Sequence, residues 1–170
     1  AERRDAAAIQ ALLKQKADVN AAQPDGATAL HWVAHWDDVA TADLLMKNGA
    51  NVNAVNDAGV TPLALACENG SGPMVDALLK GGANPNAAVR SGETAMMTAA
   101  RSGNLAAVKA LVAKGAQVNA KESTHGQTAL MWAASNHHPV IVQTLVENGA
   151  DVHVRSEARP RAVHTGNRYG

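Results

Sequence analysis

Apolar positions in this chain come in short clusters at helical spacing, and the clusters recur at a fixed interval. Leu12 and Leu13 lie three and four residues beyond Ile9, in a run of good helix formers from Ala6 to Leu13. Four later clusters carry the same kind of face: Thr41-Ala-Asp-Leu-Leu-Met46, Met74-Val-Asp-Ala-Leu-Leu79, Ala107-Val-Lys-Ala-Leu-Val112 and Ile141-Val-Gln-Thr-Leu-Val146. Each predicts a helix too short to be stable alone, so burial of Leu and Val against a neighbour must supply its stability. Ahead of each runs another apolar segment, opening at Gly26-Ala-Thr-Ala-Leu-His31, Gly59-Val-Thr-Pro-Leu-Ala64, Gly92-Glu-Thr-Ala-Met-Met97 or Gly126-Gln-Thr-Ala-Leu-Met131. The glycine permits a tight turn, and Thr28, Thr61, Thr94 and Thr128 are placed as N-caps whose hydroxyls accept free backbone N–H groups. A helix of about eight residues is expected after each cap. Gly70 and Gly103 mark a break between the two helices of a unit, and Asp37-Asp38 and His137-His138 hold that place in the other two.

A third motif fixes the period. Gly49-Ala-Asn-Val-Asn53 recurs as Lys16-Ala-Asp-Val-Asn20, Gly82-Ala-Asn-Pro-Asn86, Gly115-Ala-Gln-Val-Asn119 and Gly149-Ala-Asp-Val-His153, with steps of 33, 33, 33 and 34 residues. A repeat of this length marks a solenoid whose units are each too small to bury a core alone. The reading is an all-α stack: a partial unit over 1–22, full units over 23–55, 56–88, 89–121 and 122–155, and an Arg-rich tail or start of an insertion over 156–170. Lys16 stands where later units have Gly, after a helix and at a site that wants a left-handed backbone. The first unit is therefore expected to be an atypical, weaker cap. Contacts in such a stack join nearest neighbours, so the ends are expected to fray before the middle. The chain begins inside a unit and no new unit opens after His153, which reads as a fragment of a longer array.

Composition sharpens this picture. With no Phe and few other rings, the apolar content is Ala, Leu and Val, so thin helical layers in close approach are expected. Fifteen basic and fifteen acidic residues leave no excess charge for a dedicated nucleic-acid surface. A single cysteine excludes an internal disulfide framework. No apolar run reaches the roughly 20 residues of a spanning helix, and no membrane insertion is expected. No signal peptide is visible at the start, but the chain opens inside a unit, which leaves room for an upstream targeting segment; the location stays open, with cytoplasmic favoured over secreted.

Thr61-Pro-Leu, Ala99-Ala100, Gly103 and Gly115-Ala-x-Val-Asn119 resemble the ankyrin repeat, in five registered copies over about residues 1–155. The resemblance implies two antiparallel helices and a projecting β-hairpin per repeat, stacked into a curved ankyrin-repeat α-solenoid. It also implies that His31 is structural, bonding within and between repeats. The family's Thr-Pro-Leu-His is intact nowhere, Pro85 replaces the usual Val, and the loop from Lys121 to His125 carries one extra residue, so the hairpin there is expected to be displaced.

Candidate chemistry is thin. His31 and His35 are four apart on one helix, a spacing that can place two imidazoles on a metal, but no rigid third ligand is indicated. His137-His138 reads as a helix boundary. Cys67 stands where sister units have a small Ala (Ala34, Ala100, Ala134) and reads as a buried hydrophobe, without the base a nucleophile needs. Glu68-Asn-Gly-Ser-Gly72 lacks the Lys-Ser/Thr of a phosphate loop and reads as a helix–helix turn. No enzyme activity, cofactor or metal is expected.

The positions that vary between units carry more. In a stack of this type the ends of the first helices and the hairpin tips line the concave face. They supply His35, Trp36, Asn69, Arg101, Ser102 and Asn136 from the helices, and Asp25, Asp57, Arg90 and His125 from the tips. A constant framework with variable projecting residues separates folding from recognition. Trp36 stands out, because an indole at a groove position is costly to expose and well suited to anchoring a partner. Trp32 and Trp132 hold matching positions one turn earlier and are expected to be partly buried, with Trp32 sharing the Trp36 face. The expected function is a non-catalytic, monomeric protein-interaction module gripping a protein or peptide. The alternative is a regulatory or targeting segment of a larger enzyme or effector.

Overall fold

The computed structural model describes residues 6–157. Its helices follow the predicted order: α1 Ala6–Lys14, α2 Ala29–His35, α3 Val39–Lys47, α4 Pro62–Glu68, α5 Gly72–Lys80, α6 Ala95–Arg101, α7 Leu105–Ala113, α8 Ala129–Ser135 and α9 Pro139–Glu147. First helices have seven residues, close to the expected length, and Trp36, Asn69, Ser102 and Asn136 follow as their C-caps. Helices α2 with α3, α4 with α5, α6 with α7 and α8 with α9 form pairs. The pairs stack so that α2, α4, α6 and α8 make one layer and α3, α5, α7 and α9 the other. Among the described residues there is no sheet; isolated antiparallel bridges join Ala22 to Thr28 and Ala88 to Thr94. The expected Arg-rich tail over 156–170 lies outside the described residues apart from its start.

Local chemistry explains each boundary. The hydroxyls of Thr61, Thr94 and Thr128 accept from Ala64, Met97 and Met131 N–H at 3.2, 3.4 and 3.4 Å. Thr28 pairs reciprocally with its helix instead: its N–H donates to His31 Nδ1 at 3.1 Å, and its hydroxyl lies 2.9 Å from the same nitrogen. Second helices are capped by Asp38, Ser71 and Asn104, which accept from Thr41, Met74 and Ala107 N–H. His138 makes no such cap; its Nε2 donates across to Arg101 O at 3.1 Å, joining the last two described pairs. The breaks between paired helices need a left-handed residue. Gly70 and Gly103 supply it at φ 72° and 77°, and Asp37 and His137 adopt it at 58° and 59° despite carrying a Cβ. Lys16 does the same at 59°, as its position after α1 predicts.

The core is thin and built from equivalent positions. Leu45, Leu78, Leu111 and Leu145 are buried on successive second helices, and Val33, Ala66, Ala99 and Ala133 on successive first helices. Alanine at the latter sites lets neighbouring first helices approach closely, so methyl groups rather than rings fill the layer. Cys67, Ala34 and Ala100 are fully buried as expected. Ala134 is not: it is exposed, because among the described residues no helix packs beyond α8 and α9.

The period motif proves to be an inter-pair clasp. In each of four copies the final Asn takes a backbone N–H and a carbonyl from the following unit. Asn20 Oδ1 accepts from Asn51 N–H at 2.7 Å and its Nδ2 donates to Gly49 O at 3.0 Å. Asn53 does the same to Asn84 and Gly82, Asn86 to Gln117 and Gly115, and Asn119 to Asp151 and Gly149. Two net hydrogen bonds at a partly exposed site are together worth about 1–2 kcal/mol. Asn86→Ala is therefore expected to lower stability by about that amount in urea denaturation, while Asn148→Ala, whose amide bonds within its own helix to Thr144 O, costs less.

Candidate functional site

Hairpins and first helices share one face of the stack. Hairpin turns close through Gln23 N–H to Ala27 O, Asn56 N–H to Val60 O, Val89 N–H to Glu93 O and Glu122 N–H to Gln127 O, at 2.8–3.1 Å. Their turn glycines are left-handed, and neighbouring tips lie so close that a Cβ on Gly26 would meet Asn56 Cα at 3.1 Å. Backbone bonds then join tips: Asp57 N–H to Asp25 O, Ser123 N–H to Ser91 O and Glu157 N–H to His125 O. The extra residue after Lys121 does not displace the hairpin base, contrary to expectation. It enlarges the turn, and Glu122 fills that turn with its carboxylate, accepting from Thr124, His125 and Gln127 N–H at 2.6, 2.8 and 3.0 Å.

These N–H groups hold the Glu122 carboxyl down at about 2, led by the Gln127 bond. Because the folded value is depressed, this stabilisation is present above the ordinary 4.5 and is lost as pH falls toward 2.

His31 is buried at the root of the face. Thr28 N–H makes Nδ1 an acceptor, so Nε2 carries the proton and donates to Val60 O in the next hairpin at 3.0 Å. The imidazole thus bonds within and between units, the role its family resemblance implies, and both nitrogens are engaged. Burial lowers its pKa below 6.5, partly offset by the Val60 carbonyl and Asp25. The sign follows: unfolded chains take up a proton near 6.5 while folded ones resist, so stability falls as pH drops below that value. Urea midpoints at pH 7.5 and 5.5 are expected to show this fall in the native chain and a flatter response in His31→Gln.

Above His31 sits the aromatic cluster. Trp32 and Trp36 are half-buried, with ring centroids 5.4 Å apart and planes tilted by 32°. The exposed His35 ring stands edge-on to Trp32 at 6.3 Å. Gln23 Oε1 in the hairpin accepts the Trp32 Nε1–H at 3.0 Å and fixes the ring. A cavity of about 150 Å³ opens here, lined by Asp25, His31, Trp32, His35, Asn56 and Leu65. Farther along, Trp132 is held the same way by Gln127 Oε1 at 3.0 Å, and the Arg101 guanidinium covers its ring at 5.0 Å from the centroid. Arg101 also pairs with Glu93 at 3.4 Å, and Glu93 accepts from Thr98 Oγ1 at 3.0 Å.

The remaining positions expected on this face divide in two. Asp25, Asp57 and Arg90 are exposed on the tips, and His125 is half-buried within the enlarged turn. Asn69, Ser102 and Asn136 are exposed too, but each side chain bonds carbonyls at a first-helix C-terminus: Asn69 to Ala34 and His35, Ser102 to Cys67 and Ala99, Asn136 to Trp132. Sequence reading missed Gln23, Gln127, Glu93 and Glu122. Only Glu122 left a signal, a carboxylate at the start of the one lengthened hairpin loop.

Larger depressions of about 540 and 560 Å³ lie between neighbouring second helices, at α3–α5 and α7–α9. Aliphatic, charged and polar side chains line them, with Met46 and Pro73 in the first and no aromatic ring in either. Cys67 offers no chemistry: burial pushes its thiol up to about 12. Among the described residues no group of three or more His, Cys, Asp or Glu side chains is placed to hold a metal ion, and no helix is long and apolar enough to cross a membrane.

No curated protein matches the chain. A family model described as "Ankyrin repeats (3 copies)" matches residues 1–89 and again 86–156. Ankyrin repeats are in general protein-interaction modules and typically non-catalytic. With paired short helices in two layers, hairpins in register and a sequence match running from residue 1 to 156, the chain belongs to the ankyrin repeat family.

Proposed function

We propose that this chain is a non-catalytic module that holds a protein or peptide partner along the face formed by its hairpin tips and first helices. The observation that carries this reading is the Trp32–Trp36 pair: two half-buried indoles in contact, of which Trp32 lines a cavity and is fixed from the hairpin by Gln23. Large rigid rings at a fixed position lose little conformational freedom on binding and supply much contact area, which is the character of an interface anchor. Asp25, Asp57, Arg90 and His125 on the tips, with His35 and Arg101 on the helices, supply the polar surround. Asn69, Ser102 and Asn136 border it while bracing the helix ends. The repeat units proposed at 23–55, 56–88, 89–121 and 122–155 each contribute one hairpin and one first helix. A standard interface of roughly 800 Å² per partner spans three or four of them.

The test is a hydrogen-exchange footprint with a partner captured by the chain. Protection is expected over 23–36 and 56–69, with α3, α5 and α7 unchanged. Protection confined to the second helices would reject the proposal.

A further inference from the structure

We propose that the cavity between Trp32 and the Asp25 hairpin tip receives an arginine side chain of the partner. The inference rests on the binding face proposed above and names its chemical anchor. Three independent features converge on it.

The first is an internal precedent. Trp32 and Trp132 hold equivalent places on α2 and α8, and each indole N–H is tied to a hairpin glutamine at 3.0 Å. At Trp132 a guanidinium already lies over the ring, 5.0 Å from its centroid, and is paired with the Glu93 carboxylate at 3.4 Å. An indole and a carboxylate on this face thus seat an arginine, reached at Trp132 from the preceding unit, while the Trp32 cavity opens toward Asn56 and Leu65 of the following one. The second is charge. Asp25 lines the Trp32 cavity, as Glu93 flanks the Trp132 seat. Asp25 uses Oδ1 to accept Ala27 N–H at 3.0 Å, which leaves Oδ2 to accept from a guanidinium. Asp57 and Glu68, exposed in the next unit, keep this half of the face acidic, while Arg90 and Arg101 lie farther along. The third is size. The cavity of about 150 Å³ equals the volume that accommodates a benzene ring, a planar group comparable to a guanidinium. A planar cation between an indole face and a carboxylate gains both quadrupole attraction and charge-assisted hydrogen bonds.

The probe is the blocked tripeptide acetyl-Gly-Arg-Gly-amide, with its citrulline counterpart as a neutral isostere. Indole N–H resonances are followed by NMR in the whole chain up to about 10 mM, in the millimolar range where a weak contact of about 4 kcal/mol registers. The Trp32 indole is expected to shift saturably with the arginine peptide and not with the citrulline peptide, while the Trp132 indole stays still. Asp25→Asn keeps the oxygen that accepts Ala27 N–H and is expected to weaken the response at least fivefold. Arg101→Ala is expected to make the Trp132 indole responsive in turn. Equal shifts with both peptides, no Trp32 shift at all, or an unaltered response in Asp25→Asn overturns the proposal. If arginine binding fails while the partner footprint still covers 23–36, the arginine seat is wrong and the binding face stands. If the footprint lies elsewhere, the broader reading falls whatever the peptide does.

Discussion

Replacing Leu78 with alanine lowers the stability of this protein by about 3 kcal/mol, the loss expected for a fully enclosed leucine in a core that relaxes only in part. Leu78 has no exposed surface and lies on α5, the second helix that packs on α3, α4 and α7. Equivalent leucines at 45, 111 and 145 fill the same place in neighbouring repeats, so one truncation weakens two interfaces at once. In a stack held only by nearest neighbours, such a lesion at the middle also uncouples one flank from the other. Urea unfolding of the Leu78→Ala chain is expected to show a lower midpoint and a broader transition. Leu12, 53% exposed on α1, provides the contrast, and its truncation is expected to cost well under 1 kcal/mol. Equal losses at the two positions would refute the packing account. Hydrogen exchange adds a second reading, with α5 to α7 opening more slowly than the first repeat.

Much of this architecture is legible in the sequence. The 33-residue period located every described second helix, because leucine and valine at helical spacing have no other way to leave water. Capping threonines located the first helices, and Lys16 was legible as left-handed because the other copies carry glycine there. What escaped depended on contacts between units. The exposure of Ala134 follows from which helices surround it, and its sequence environment matches that of buried Ala100. Glu122 was passed over because a carboxylate in a loop looks solvated, whereas three backbone N–H groups converge on it. Asn69 and Ser102 vary between repeats, as binding residues do, yet their side chains reach back 34–35 residues to carbonyls of the preceding first helix. Variation in one side chain is compatible with bracing as well as with recognition, and only the bonds that the side chain makes separate the two. The Asn clasp was half legible: its recurrence at 20, 53, 86 and 119 marked it as framework, but not which groups it joins.

Trp36 follows a different logic, in which stability is spared and affinity is not. Its backbone N–H caps α2, a bond that alanine keeps. The side chain packs against Trp32 and remains half-buried, so its removal leaves the buried layers of Leu30 and Val33 intact. A central indole in an interface is worth on the order of 2 kcal/mol or more, which corresponds to a roughly thirtyfold loss of affinity. The effect is expected mainly in the dissociation rate, since the contact forms after encounter. Trp132, already covered by Arg101, is expected to matter less to the same partner. Calorimetric titration of a captured partner with the native chain and with Trp36→Ala, both checked for unchanged unfolding midpoints, tests the binding face most directly. A dissociation constant raised about thirtyfold is the predicted result; one unchanged within error contradicts the account.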